Sequence, residues 1–176
     1  MSNSFVSLQN VSLAYGKTVA VSNLDLNVRK GELIALLGPS GCGKTTTMRA
    51  IAGLMSLHSG SISIDGVDMS RTPANKRGIG LVFQSYALFP HLNAFENVAF
   101  GLRIKKFSTP EIATRVGKGL TMVGLSHLAE RKPQEMSGGQ QQRLSLARSL
   151  VMDPKFLFLD EPLSNLDARL RLEMRT

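Results

Sequence analysis

The sequence predicts an α/β fold with a mostly parallel sheet, an N-terminal antiparallel β subdomain and an inserted α-helical subdomain. Three short apolar runs predict the parallel strands, because strands buried on both faces are continuously apolar; they are residues 33–37, 79–83 and 156–159. Before them, apolar and polar residues alternate as in antiparallel strands with one solvated face. Helical periodicity between the second and third runs predicts the inserted helices.

The alternation defines two N-terminal strands. Its apolar positions are Val11, Leu13 and Tyr15 in the first strand and Leu24, Leu26 and Val28 in the second. An Arg-Lys-Gly turn at residues 29–31 is expected to end the second strand. We therefore predict an antiparallel pair at the start of the chain.

Helical signals follow the second apolar run. Phe95, Val98 and Leu102 recur at spacings of three and four residues. Thr109 is expected to cap the next helix, with Pro110 in its first turn. The predicted helices run over residues 94–102, from Thr109 to about Val123, from Ser137 to about Val151, and from a cap at Ser164 or Asn165 onward.

Length and composition exclude several classes of protein. A chain of 176 residues with 43% hydrophobic and 19% charged residues fits one globular domain. We expect it to lie in the cytoplasm, since it has neither an apolar run long enough to span a membrane nor a signal peptide. Cys42 is the single cysteine, so an internal disulfide is excluded. The formal charge of +8 is scattered along the chain, and we expect no nucleic-acid site.

Residues 38–45 match the phosphate-binding loop GxxxxGK[ST]. The loop follows the first apolar run and precedes a helical pattern, where backbone N–H groups and a helix N-terminus can hold phosphate oxygens. Lys44 is expected to neutralise the β- and γ-phosphates and Thr45 to bind Mg²⁺. We predict that ATP and Mg²⁺ are the ligands of a P-loop NTPase core. The residues expected at the nucleotide are Gly38, Pro39, Ser40, Gly41, Cys42, Gly43, Lys44, Thr45 and Thr46.

Asp160 and Glu161 follow the third apolar run, at the strand end where open α/β sheets bind ligands. Asp160 is predicted to hold Mg²⁺ through a water molecule, and Glu161 to accept a proton from the attacking water. An Asp-Glu pair also occurs in simple surface turns. The phosphate loop in the same chain favours the catalytic interpretation.

Residues 137–141, Ser-Gly-Gly-Gln-Gln, resemble the signature motif of the ABC ATPase family, with Met136 in place of the usual leucine. A serine cap and two glycines at a helix start expose N–H groups that suit a γ-phosphate, although an ordinary helix cap has the same pattern. The resemblance extends over the whole chain. It implies that this segment acts on the nucleotide of a second ATPase subunit in a head-to-tail dimer. The nucleotide-binding residues implied here are Ser137, Gly138, Gly139 and Gln140.

The resemblance assigns further roles. Tyr15 corresponds to the aromatic residue that stacks on adenine; the less favoured alternative is an ordinary strand tyrosine. Gln84 corresponds to a catalytic glutamine that contacts Mg²⁺ or the attacking water and senses the membrane subunit; by itself it is a surface polar residue. Asp167 corresponds to a residue of the loop that crosses the dimer interface.

Residues 84–103 are close to the version found in importers of polyamines, ferric iron, phosphonates and sugars. This implies integral membrane permease subunits as partners, with a substrate-binding protein indirectly involved, at the inner face of the bacterial cell membrane. Tyr86, Leu88 and Phe89 form either a groove for a short helix of the membrane subunit or a local packing cluster.

Domain boundaries follow from the same resemblance. Residues of about 1–86 and 152–176 are expected to form the RecA-like core with the β subdomain, and residues of about 87–151 the helical subdomain. The family carries a histidine after one more buried strand beyond Asp167, and this sequence has none after His127. We therefore expect an ATPase domain that is incomplete at its C-terminus.

Three functions remain open at this point. An import ATPase is favoured by the combined motifs. An ABC-type ATPase acting on nucleic acid is disfavoured, because no heptad pattern lies between Thr46 and Ser137. A nucleotide-binding fragment without turnover is compatible with the absent histidine.

Overall fold

A computed structural model describes residues 4–160 of the chain. The interpretations placed on Glu161, Ser164, Asn165 and Asp167 lie outside the described residues. The chain divides into two compact units, Met1–Ile79 and Gly80–Thr176. The α/β class is confirmed: the described residues form an antiparallel sheet, a parallel sheet and four α-helices.

The first unit is built on a four-stranded sheet with the strand order β2-β1-β3-β4. Its pairs are all antiparallel. A nine-residue helix, α1, follows β2 in sequence. The elements of this unit are β1 (Ser4–Tyr15), β2 (Thr18–Arg29), α1 (Lys44–Ala52), β3 (Ser59–Ile64), β4 (Val67–Asp68) and a 3-10 turn at Ala74–Lys76.

Alternation along β1 and β2 accounts for part of the core of this unit, although Ser12 between two apolar positions is also buried. Val11 and Leu13 are fully buried, as the sequence pattern predicts, whereas Tyr15 at the end of β1 is 53% exposed. Ile62 and Ile64 of β3 pair with β1 and are buried with it. The predicted antiparallel pair is therefore confirmed, and it extends to a four-stranded sheet.

The prediction of a buried parallel strand at residues 33–37 is wrong for the described structure. These residues form no strand, and Leu33 and Leu37 are 95% and 90% exposed. An apolar run becomes a strand only when its backbone groups pair with a neighbouring strand. Among residues 4–160 no strand pairs with this run, so composition alone does not place it in a sheet.

Arg77 fixes the end of α1 that lies farthest from the phosphate loop. Its Nη1 atom donates to the carbonyls of Ala50 and Ile51 at 3.0 and 2.7 Å, and its Nε atom donates to the carbonyl of Thr72 at 2.7 Å. The side chain is buried, which lowers its pKa by desolvation. The bonds to Ala50 and Ile51 add a charged donor at the last turn of α1, where the Ala50 carbonyl also accepts from the Gly53 N–H at 3.1 Å.

The second unit combines two parallel strands with three helices. The strands β5 and β6 pair with each other, and two of the three predicted parallel strands are thus confirmed. The elements are β5 (Ile79–Val82, which starts at the boundary), α2 (Ala94–Ile104), α3 (Thr109–Met122), 3-10 turns at Ser126–Leu128 and Pro133–Glu135, α4 (Gly138–Leu150) and β6 (Phe156–Leu159).

Apolar faces of α2, α3 and α4 form one core, which includes the predicted positions Val98 and Leu102. The predicted cap of α3 at Thr109 is wrong by one residue, because Ser108 is the N-cap. The backbone N and the Oγ atom of Ser108 both donate to Glu111 Oε2, at 3.0 and 2.6 Å, and this Ser-x-x-Glu spacing defines a capping box. None of the helices within residues 4–160 has the length and hydrophobicity needed to cross a membrane.

Candidate functional site

The phosphate loop (residues 38–46) is shaped by glycines at the start of α1. Gly41 and Gly43 have φ angles of 83° and 94°, which side chains rarely adopt. A Cβ atom on Gly43 would lie 2.5 Å from Val21 Cγ2 and 3.2 Å from the carbonyl oxygen of Ala20. Conformation and space therefore both require glycine at this position.

Lys44 folds back over the loop. Its Nζ atom donates to the carbonyls of Gly38 and Pro39 at 2.7 and 2.9 Å, and lies 3.5 Å from Cys42 Sγ. These contacts hold a cation over the loop without using a carboxylate.

The N-terminus of α1 begins at Lys44 and carries no side-chain cap. The first turn of this helix contains no acidic residue. The positive end of the helix dipole is therefore not neutralised from within the helix. Backbone N–H groups and one ammonium group are the donor set that phosphate oxygens require.

Tyr15 lies in the same unit as the phosphate loop. It pairs with Thr18 at the end of β1, next to a tight turn at Gly16, and more than half of its surface is exposed. A flat aromatic ring is thus accessible for stacking. Its role at adenine stays a prediction.

Gln84 and Asp160 lie at the carboxyl edge of the parallel sheet in the second unit. The backbone N–H of Asp160 donates to the carbonyl of Val82 at 3.0 Å, and Gln84 follows Val82 by two residues. The sequence predicted both as polar residues just after buried strands. The structure brings the ends of these two strands together.

The signature segment (residues 137–141) opens α4 with a capping box. Ser137 Oγ accepts from the Gln140 N–H at 3.3 Å, and the Ser137 N–H donates to Gln140 Oε1 at 2.8 Å. The predicted cap is confirmed. Within residues 4–160 the N–H groups of Gly138 and Gly139 have no hydrogen-bond partner, and a Cβ atom added at either glycine would meet nothing within 4 Å. The helix start is therefore open to an approaching group.

Three polar residues that fix the backbone after Gln84 were not found by sequence reasoning. Ser145 and Arg148 of α4 donate to carbonyls of Tyr86 and Ala87. Asn97 of α2 is fully buried and bonds to both backbone groups of Phe89. Their partners are backbone atoms far away in sequence, and no local motif marks them.

The groove expected at Tyr86, Leu88 and Phe89 is only partly available. Tyr86 is 9% exposed, and Leu88 packs against the helical core. Phe89 contacts the ring of Phe100 at a centroid distance of 4.4 Å. For Tyr86 and Leu88 the local packing interpretation is therefore the better one.

A phosphate loop at the start of α1, a parallel sheet with polar residues at its carboxyl edge and a capped Ser-Gly-Gly helix define a nucleotide-binding protein of the P-loop class. The sequence model of the family described as ABC transporter matches residues 21–164. The chain belongs to this family, and the resemblance drawn from the motifs is confirmed.

Curated relatives carry import functions in their names. The chain is 53% identical over 171 residues to the Fe(3+) ions import ATP-binding protein FbpC of Brucella suis, covering 97% of this chain and 48% of the relative. It is 52% identical over 170 residues to the spermidine/putrescine import ATP-binding protein PotA of Haemophilus influenzae, covering 97% and 46%. The chain thus spans about half the length of the curated relatives that it matches.

Solved structures share the fold. A dimeric ATP-binding cassette in a post-hydrolysis state bound to ADP and Pi has a TM-score of 0.84 at 35% identity, covering 93% of this chain and 77% of that chain. CbiO1 of Clostridium perfringens, part of the ABC transporter complex cbiONQ, has a TM-score of 0.87 at 30% identity, covering 98% and 71%.

Proposed function

We propose that this chain is the ATP-binding and ATP-hydrolysing part of an import transporter subunit, which powers solute uptake through separate membrane permease subunits. The phosphate loop is the observation that carries the proposal. Its glycines are required by conformation and space, its lysine lies over the loop, and the helix that follows has no internal cap. The import function rests on the names of the curated relatives.

Nucleotide binding uses the phosphate loop and the helix start behind it. Lys44 exchanges its bonds to Gly38 and Pro39 for phosphate oxygens, which carry the full charge that a carbonyl lacks. The N–H groups at the start of α1 hold the same anion. Tyr15 presents its ring for stacking on the adenine.

The proposed Mg²⁺ ligands are the hydroxyl of Thr45, the amide oxygen of Gln84 and the carboxylate of Asp160. All three are oxygen donors, which Mg²⁺ prefers. Within residues 4–160 no group of three His, Cys, Asp or Glu side chains could hold a metal ion. Mg²⁺ needs no such cage, because it binds through one or two protein ligands together with phosphates and waters. When bound, it neutralises charge on the phosphate oxygens. Glu161 accepts a proton from the attacking water, and Gln84 orients that water.

The signature segment supplies the second half of the site to a partner copy. The open N–H groups of Gly138 and Gly139 suit a γ-phosphate oxygen, and the missing side chains leave space for it. We therefore propose a head-to-tail dimer, to which Asp167 contributes across the interface. The structural neighbour that is bound to ADP and Pi is itself dimeric, which supports this arrangement.

The remaining assignments are part of this proposal and rest on membership of the ABC transporter family and on the motif resemblance. The subunit works at the inner face of the bacterial cell membrane, bound to permease subunits and indirectly served by a substrate-binding protein. A polyamine or ferric iron is the solute class supported by the relatives' names. The subdomain division at about residues 86 and 152 stays part of this proposal.

The test is Mg-ATP binding and phosphate release by the protein expressed from its complete gene. We expect binding and turnover in the wild type. The Glu161→Gln variant should keep ATP affinity and lose about 10²- to 10⁴-fold in turnover, the usual contribution of a general base. Glu130→Gln, an exposed change on the same unit, is the control and should turn over normally. Unchanged turnover in Glu161→Gln would remove that residue from the base role.

A second candidate is nucleotide binding without turnover. It is favoured by the exposed state of residues 33–37, since the segment that leads into the phosphate loop is not held in a sheet by any of residues 4–160. ATP binding with no phosphate release in the wild type would select this candidate.

A further inference from the structure

Tyr86 and Ala87, which follow Gln84 by two and three residues, adopt a left-handed backbone conformation that residues other than glycine seldom take. Tyr86 has a φ angle of 60° and Ala87 one of 48°. The Tyr86 N–H donates to the carbonyl of Phe83 at 2.9 Å and the Ala87 N–H to that of Ser85 at 2.7 Å, so Gln84 lies inside a tight turn. We call residues 83–87 the Gln84 turn. Such a conformation persists only where the surroundings fix it.

Two side chains of α4 fix this turn. Ser145 Oγ donates to the Tyr86 carbonyl at 2.9 Å. The guanidinium of Arg148 reaches the same carbonyl through Nη2 at 2.9 Å and the Ala87 carbonyl through Nη1 at 2.7 Å. Three hydrogen bonds therefore converge on the two residues that have left-handed backbones.

The contacts of the Arg148 guanidinium are with the turn and with Phe89. The guanidinium lies 5.6 Å from the centre of the Phe89 ring. Among residues 4–160 no carboxylate pairs with it, and burial alone lowers its pKa. Burying a cation is unfavourable unless its donors are satisfied. Here two backbone carbonyls of the turn accept from Nη1 and Nη2, and a planar fork suits two adjacent acceptors better than a single ammonium group does.

The same helix carries the signature segment at its start. Ser137 is the N-cap of α4, and Arg148 lies in its last turn. A helical rise of about 1.5 Å per residue places the two about 16 Å apart on one rigid element. A displacement of the signature segment is therefore transmitted along α4 to the carbonyls of Tyr86 and Ala87.

We propose that Arg148, assisted by Ser145, is a positioning residue that ties the Gln84 turn to the signature helix. This rests on the proposed function, in which Gln84 contacts Mg²⁺ or the attacking water. The role proposed for Arg148 runs through the backbone carbonyls of Tyr86 and Ala87. Arg148 sets where the backbone on either side of Gln84 lies, and thereby whether the Gln84 amide is in place when the signature segment closes on a nucleotide.

The first test measures the anchoring without ATP. Arg148→Lys keeps the charge but replaces the guanidinium fork with one nitrogen atom, which cannot occupy the positions of both Nη1 and Nη2. Arg143→Lys makes the same change at an exposed position of α4. Amide hydrogen exchange over residues 84–89 should rise about tenfold in Arg148→Lys, as expected for losing a hydrogen bond from a charged donor. It should stay unchanged in Arg143→Lys. Ser145→Ala should give a smaller rise and serves as the second variant if Arg148→Lys does not fold.

The second test measures turnover in the full-length protein. Arg148→Lys should lower kcat about ten- to hundredfold, the effect of a small misplacement of a reacting group, while the KM for ATP is unchanged. Gln84→Ala supplies the background for a double-mutant cycle. Arg148→Lys should add no further fall in that background, because it acts through Gln84.

The outcomes separate this inference from the proposed function. Unchanged exchange in both Arg148→Lys and Ser145→Ala overturns the inference whatever the ATPase activity is. Additive falls in kcat overturn the link to Gln84, since a merely structural defect acts independently of it. A wild-type protein without phosphate release overturns the proposed turnover, and the exchange measurement still decides whether α4 anchors the turn.

Discussion

The Nζ atom of Lys44 donates a hydrogen bond to the carbonyl of Gly38 at a distance of 2.7 Å, across the loop that both residues belong to. The lysine is therefore in place before any phosphate arrives. In the proposed binding mode, charged phosphate oxygens replace these neutral carbonyl acceptors, and little further ordering of the side chain is needed.

Replacing Lys44 should separate binding from folding. Lys44→Ala should weaken ATP binding about ten- to hundredfold, because a charge-assisted hydrogen bond contributes about 1.5–3 kcal/mol. The melting temperature should change little, since the lost partners are carbonyls at an exposed loop. Calorimetric titration with ATP measures the effect. Lys30→Ala, an exposed lysine in the same unit, is the control, and an equal loss in both variants would contradict a specific role for Lys44.

Replacing Gly138 should leave the fold intact and lower ATP turnover. In Gly138→Ala the methyl group meets nothing within 4 Å, and alanine favours a helix over glycine by up to about 1 kcal/mol. Stability should therefore stay level or rise. ATP turnover should fall at least about tenfold, because the methyl group occupies the approach of the γ-phosphate to open N–H groups.

A matched glycine makes this result interpretable. Gly117 lies in α3 with equally open space around it. Gly117→Ala should gain stability in denaturant titration and keep its turnover. Normal turnover in Gly138→Ala would show that no ligand approaches the signature segment.

ATP should protect Cys42 from alkylation. This free thiol is exposed and lies 3.5 Å from the Lys44 ammonium, within the loop that would surround a phosphate. It is the single cysteine of the chain, so iodoacetamide incorporation reports on it alone. Labelling should slow in proportion to ATP occupancy, and the same protection should need about ten- to hundredfold more ATP in Lys44→Ala than in the wild type. Equal labelling rates with and without ATP in the wild type would contradict the prediction that the phosphates bind in the loop around Cys42.

Acid should weaken the start of α3. Hydrogen bonds from the Ser108 side chain and then its backbone lower the pKa of Glu111 from its ordinary value of 4.5. A carboxyl with a lowered folded-state pKa stabilises the protein above its unfolded-state pKa, and this contribution is lost as the pH falls through the folded-state pKa. Glu111→Gln should therefore be less stable than the wild type near neutral pH.

The pH series provides its own control. The difference in the free energy of unfolding between wild type and Glu111→Gln should narrow as the pH is lowered below 4.5, the ordinary pKa of the glutamate carboxyl. Denaturant titrations across this range measure it. A difference that stays constant with pH would show that the charge of Glu111 does not stabilise the capping box.

Local patterns predicted much of the fold. The alternation in β1 and β2, the spacing of Val98 and Leu102, and the Ser137 cap were predicted correctly because each depends on atoms a few residues apart. The Ser108 cap was missed by one residue, although its Ser-x-x-Glu spacing was visible in the sequence. The order of the motifs identified the family.

Long-range partners decided the rest. The apolar composition of residues 33–37 predicted a strand, but strand formation depends on a neighbour that no local pattern supplies. Arg148 looked like an ordinary helix residue, because its acceptors are backbone carbonyls 61 and 62 positions away in the chain. The sequence by itself determined the glycine conformations of the phosphate loop and the cap of the signature segment, since both are set by neighbouring atoms. Only the tertiary structure decided which helix holds the Gln84 turn, since every residue presents the same carbonyl and folding alone selects the pair that Arg148 meets.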